Sequence, residues 1–110
     1  MKIQAETQGA VKIVNLAGEL NVDDSIQLRE AFLKLLKEGA TKVMVDFEKV
    51  SFVGSAGLAT LIEMMQLLKK AGGKLVCCQI NNDIRGLFEI TKIHKLIPIY
   101  ENRAMALREF

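Results

Sequence analysis

The stretch from Lys42 to Gln79 constrains the fold more than any other part of the chain. Lys42–Phe47 (KVMVDF) is dense in β-forming residues, and Ser55–Ala71 carries apolar residues at helical spacing. Ala71-Gly72-Gly73 then ends the helix, and Lys74–Gln79 (KLVCCQ) returns to strand character. A strand, a helix and a second strand in this order predict a largely parallel sheet packed against its connecting helices.

The flanks extend the same alternation. Lys2–Gln8 and Val11–Ala17, joined by a turn at Gln8-Gly9, read as an opening hairpin. Gly18–Asn21 leaves the second strand, with Asn21 or Asp23 as cap of a helix whose inner face is Leu28, Ala31, Phe32, Leu35 and Leu36. Gly39 is placed to end it. After Lys42–Phe47, residues 48–54 form a connection. Asn82–Ile90 reads as a third helix starting at Asn81-Asn82, Ile97–Tyr100 as a last strand at a sheet edge because of Pro98, and Asn102–Phe110 as a closing helix. The expected fold is α/β, in the order ββαβαβαβα: a central mixed, largely parallel sheet of about five strands with four helices. With 110 residues it fits one domain over 1–110.

Composition narrows the function. With 15 basic and 13 acidic residues interleaved, the chain lacks the basic stripe of a nucleic-acid binder. Its densest basic spot, Lys69-Lys70 with Lys74, falls where cations complement a helix C-terminus. No apolar run approaches the ~20 residues that span a bilayer, and MKIQAETQG is unlike a signal peptide. The expectation is a cytoplasmic protein without membrane contact. Cys77 and Cys78 are adjacent on a strand, so they point to opposite faces and read as reduced residues.

Catalytic patterns are not found. His94 is the single histidine and has no carboxylate or cysteine beside it in sequence. P-loop, GxGxxG and HExxH motifs are missing, and in Gly54-Ser55-Ala56-Gly57 the second glycine comes one residue too early for a nucleophile elbow. The chain is expected to be a binding protein, not an enzyme, with no cofactor or metal.

Ser55 stands between a strand-exit loop and an apolar helix, where two roles are open. Its oxygen can cap the helix, worth about 1 kcal/mol, or its hydroxyl can be phosphorylated, placing about two negative charges at a helix N-terminus. Along the same helix Leu58, Leu61, Ile62, Met65 and Leu68 form the inner face, while Met64 and Leu67 project toward its flank. They serve either a partner surface or a neighbouring helix.

Taken in register, several motifs resemble the STAS domain family, which includes the anti-sigma factor antagonists. They are Gly18-Glu19-Leu20, Val50-Ser51-Phe52 leading into Ser55-Ala56-Gly57-Leu58-Ala59, Ala71-Gly72-Gly73-Lys74-Leu75, Leu87-Phe88 and Ile97-Pro98-Ile99-Tyr100. The resemblance implies a monomeric partner-switching protein. An anti-sigma factor that is also a serine kinase would phosphorylate Ser55, and a metal-dependent serine phosphatase would reset it. Asn21, Gly54, Ser55, Ala56, Gly57, Met64 and Leu67 would form the partner contact. Two positions depart from the family pattern. Gly54 stands where an aspartate usually precedes the switch serine, and Asn21 where an aspartate is common after Gly-Glu-Leu. Gly54 is also expected to loosen its loop. The alternatives are a constitutive, non-phosphorylated binding module and an accessory subunit of an ABC-type lipid transport complex.

Overall fold

A computed structural model describes residues 1–110. The chain runs β1 (Lys2–Gln8), β2 (Val11–Leu20), α1 (Val22–Lys37), β3 (Lys42–Val53), α2 (Ser55–Lys70), β4 (Lys74–Cys78), α3 (Asn82–Ile90), a 3₁₀ turn (Ile93–Lys95), β5 (Ile99–Tyr100) and α4 (Arg103–Leu107). The five strands lie side by side in chain order. β1 and β2 are antiparallel, and every other neighbouring pair is parallel. The expected class and element order are observed.

Strand order explains the layering. Each parallel connection from β2 onward steps to the next strand in the same direction. Right-handed crossovers therefore lay α1, α2 and α3 on one face of the sheet. That face carries the larger core, in which Val14, Val45, Phe47 and Cys77 from the strands meet Leu28, Phe32, Leu61 and Phe88 from the helices. The opposite face has a smaller core of Val11, Ile13, Met44, Val76 and Cys78, closed by Ala106 of α4. Alternation along β4 sends Cys77 and Cys78 to opposite faces, as expected from their adjacency.

α4 is fastened by one side chain. Arg103 donates to Asp46 at 2.8 Å and also to Glu6 and Asn15, while Gln79 donates to both Asp46 oxygens at 2.9 Å. Asp46 is only 5% exposed, so this pairing is what keeps a buried carboxylate compensated. Gly73 follows α2 where the chain passes the Thr41 backbone so closely that any Cβ would collide with the Thr41 carbonyl.

Four boundaries differ from expectation, among them that of α4, which runs only over Arg103–Leu107 and not to Phe110. β2 continues through Gly18–Leu20, and β3 runs on to Val53 through two bulges, where the pairing steps from Asn15↔Asp46 to Ala17↔Lys49 and from Gly18↔Val50 to Glu19↔Phe52. β5 is shorter than expected, two residues, and a 3₁₀ turn precedes it.

Candidate functional site

The bulged ends of β2 and β3 set the position of the two helix starts that follow them. Leu20 pairs with Val53 at the end of the ladder, and the Gly54 N–H donates to the Leu20 carbonyl at 2.9 Å. Asn21 and Gly54 are thereby brought together as the caps of α1 and α2.

Ser55 is the first residue of α2, and Gly54 is its N-cap. The capping role open to Ser55 is therefore not taken: no side chain caps the helix, and its first turn contains no acid. The first intrahelical bond is Leu58 N–H to the Gly54 carbonyl, at 3.1 Å, which leaves the donors ahead of it without a side-chain acceptor. The Ser55 side chain is exposed. Gly54 has φ −86° and ψ 173°, an extended conformation open to any residue, so the observed backbone makes no use of glycine's conformational freedom.

Asn21, Ala56 and Gly57 divide by burial. Asn21 is exposed and Ala56 half-buried, whereas Gly57 is buried beneath the helix start. A Cβ on Gly57 would lie 2.7 Å from Leu20 Cδ2 and Cγ and 3.2 Å from Val53 Cγ1. Gly57 thus lets α2 approach the sheet closely and offers no surface to a partner.

Met64 and Leu67 are not part of this cluster. Met64 is 1% exposed, inside the main core, and Leu67 is half-buried about 18 Å along the axis from Ser55 at 1.5 Å per residue. The flank reading of Met64 is corrected by the way α2 packs. The helix lies against the sheet and α1 together, with Arg29 Nε and Glu63 Oε1 paired at 2.7 Å between them. Its buried arc is consequently Gly57, Leu58, Thr60, Leu61, Met64 and Leu68, while Ile62 and Met65 are only half-buried.

Sequence reasoning missed three residues at this end. Val22 is 66% exposed, Ile26 58% and Phe52 51%. The Phe52 ring lies 3.5 Å from where a Cβ would stand on Gly54, the residue before Ser55. Val22 and Ile26 sit outside the Leu28–Phe32–Leu35 stripe of α1, and that offset was the available signal. An exposed hydroxyl and free helix donors beside exposed apolar side chains make a surface suited to docking.

Elsewhere the chemistry is quiet. Burial pushes both thiols up, Cys78 to about 12, so neither is a reactive thiolate at neutral pH. His94 is exposed, its Nδ1 3.2 Å from the Phe88 carbonyl. No helix is long and apolar enough to cross a membrane.

The model of the STAS domain family matches residues 2–106. The chain belongs to this family. Among relatives, the STAS domain is 26% identical over 110 residues to the anti-sigma F factor antagonist of Paenibacillus polymyxa, covering 99% of this chain and 94% of that one. It is 33% identical over 86 residues to the anti-sigma-B factor antagonist of Bacillus subtilis, covering 78% of each. Among solved structures it is similar to the Bacillus cell fate determinant SpoIIAA in its phosphorylated form. There the TM-score is 0.78 at 21% identity, over 98% of both chains.

Proposed function

We propose that this STAS domain is an anti-sigma factor antagonist that docks on an anti-sigma factor through the surface around Ser55, and that phosphorylation of Ser55 reverses the docking. The observation that carries this reading is the exposed Ser55 side chain at the uncapped start of α2, at the end of the sheet where Val22 and Phe52 are also exposed. The names of the two bacterial relatives support the partner class.

The chemistry of the switch is local. A phosphate brings about −1.5 to −2 charges at pH 7. The free donors and dipole at the start of α2 make that charge tolerable in the unbound protein. The same charge against an apolar docking rim must be desolvated when a partner binds. Because Ser55 lies outside the core, modification changes the surface and leaves the fold intact. In this reading the partner is also the serine kinase, a metal-dependent phosphatase restores the hydroxyl, and the protein acts in the cytoplasm as a binding protein without catalysis of its own.

The test is calorimetric titration of an anti-sigma factor from the same organism with the wild type, Ser55→Ala and Ser55→Asp. The wild type and Ser55→Ala should bind alike, and Ser55→Asp about 100-fold more weakly, some 2.7 kcal/mol. Incubation with that factor and ATP should add one phosphate to the wild type and none to Ser55→Ala. Equal binding by all three proteins with no phosphate gained would overturn the switch, and failure of both the wild type and Ser55→Ala to bind would overturn the partner class.

A further inference from the structure

The other end of α2 carries a different surface. A groove of about 510 Å³ runs between the last turns of α2, the start of β4 and the segment after the 3₁₀ turn. It is lined by the apolar Met65, Leu75, Leu96 and Pro98 and by Lys69, Lys74 and Lys95. None of the nine lining residues is acidic.

The helix dipole explains only part of this. Lys69 and Lys70 lie in the last turn of α2, where cations are favoured. Lys74 and Lys95 come from other elements. Lys74 moreover sits directly across the β3–β4 ladder from Lys42, a like-charge pairing that costs stability. The ion pairs of the protein involve Arg29, Arg103 and the terminal amine, so no lysine has a carboxylate partner. Lys74 alternates with Leu75 onto the α4 face, where its ammonium donates to the Glu109 carbonyl at 3.3 Å, so Lys69 and Lys95 are the lining cations without a hydrogen-bond partner. Leu96, which lines the groove, is 53% exposed.

We infer that this groove is a second docking site, for an acidic amphipathic peptide segment of a partner protein. Carboxylates of such a segment would meet the unpaired lysines, and an apolar side chain would enter between Met65 and Leu96. Concavity favours this occupant over an anionic membrane, which would ask for an apolar patch that protrudes. Lys69 is fourteen residues from Ser55, about 21 Å along the helix, so a partner here leaves the Ser55 surface free. The inference does not rest on the function proposed for Ser55.

The experiment is a ¹⁵N–¹H NMR titration of the full chain with a capped synthetic peptide of twelve residues, Glu with Leu at every third or fourth position. Expected are shifts at Lys69, Lys74, Leu75, Lys95 and Leu96, with none at Ser55. Affinity should fall at least 10-fold in the doubly substituted Lys69→Glu/Lys95→Glu protein, and several-fold between 50 and 300 mM salt, as about 8 Å of screening at physiological strength requires. Leu96→Ser, at an exposed position, should weaken binding with its melting temperature unchanged. A peptide with Ser in place of Leu should bind several-fold more weakly. Equal binding by the Ser peptide, shifts confined to another face, or no binding would each overturn the site. Sedimentation with phosphatidylglycerol vesicles in the absence of peptide binding would overturn it in favour of a lipid surface.

Discussion

Two helices begin side by side at the carboxyl end of the sheet, and they begin in opposite ways. At α1, Asn21 accepts from the Asp24 N–H at 3.2 Å while Asp24 accepts from the Asn21 N–H at 3.4 Å, a reciprocal capping box. Ser25 Oγ adds a bond to the Asn21 carbonyl at 2.7 Å, and Asp23 and Asp24 supply first-turn acids. At α2 none of this is present. Its start is held by packing, with Gly57 seated on Leu20 and Val53. One helix start is closed by its own side chains, and the adjacent one keeps its donors and its hydroxyl available. In the switch proposed for Ser55 the uncapped start suits a phosphate, because charge can be added there without breaking a bond already made.

The largest effect should come from breaking the packing that substitutes for a cap. Gly57→Val adds a branched side chain where even a Cβ meets Leu20 at 2.7 Å. Overpacking of this kind costs about 1–3 kcal/mol, and a loss near 2 kcal/mol is expected in urea unfolding. Wild-type stability would mean that α2 is not held by this contact. Next comes the closed helix. Asn21→Ala removes the cap of α1, leaving the Asp24 N–H without its side-chain acceptor while the backbone N–H at 21 still donates to the Asp24 carboxylate. A loss of about 1 kcal/mol, up to 2, should appear as a lower melting temperature.

How far these two starts were legible in the sequence follows from what sets them. The α1 cap was readable as Asn21 or Asp23 because capping is local, and the capping box with Asp24 settles it on Asn21. The end of β3 was not. Two bulges insert residues into it, so Val50 and Val53 are buried three apart with Ser51 and Phe52 exposed between them. That spacing defeats a search for period-two alternation, and residues 48–54 read as a loop. With the strand end misplaced, Ser55 took the cap position that Gly54 occupies, and Phe52 was lost from the site. Met64 was misplaced for a tertiary reason, since α1 rotates the buried arc of α2 away from the pattern of a helix lying on a sheet alone. Arg103 joins residues from 57 to 97 positions away, and no local pattern announces such a contact.

The comparison sharpens at Ser55 itself. As an N-cap it would contribute about 1 kcal/mol. As the exposed first residue of α2, it contributes no capping bond. Ser55→Ala should therefore leave stability within about 0.5 kcal/mol of the wild type. A loss near 1 kcal/mol in the same urea measurement would return the serine to a structural role and weaken the case that its hydroxyl is free for modification.

The smallest effect tests whether the α2 start can be made like that of α1. At Gly54 an added Cβ meets the Leu20 carbonyl oxygen and the Phe52 ring at 3.5 Å, both ordinary contacts, and the backbone is already extended. Gly54→Asp should then be accepted and should cap the free donors, raising stability by a few tenths of a kcal/mol, since glycine is only that much poorer than aspartate as an N-cap. The informative quantity is its coupling to Ser55→Asp. If the open donors of α2 are what make a negative charge at Ser55 tolerable, an aspartate at 54 uses them first and adds a like charge one residue away. The double substitution should be less stable than the sum of the single changes by about 0.5 kcal/mol, at the limit that a double-mutant cycle resolves. Additivity would place the tolerance elsewhere, in solvent screening of an exposed side chain, and the open start of α2 would then matter to the partner rather than to the phosphate.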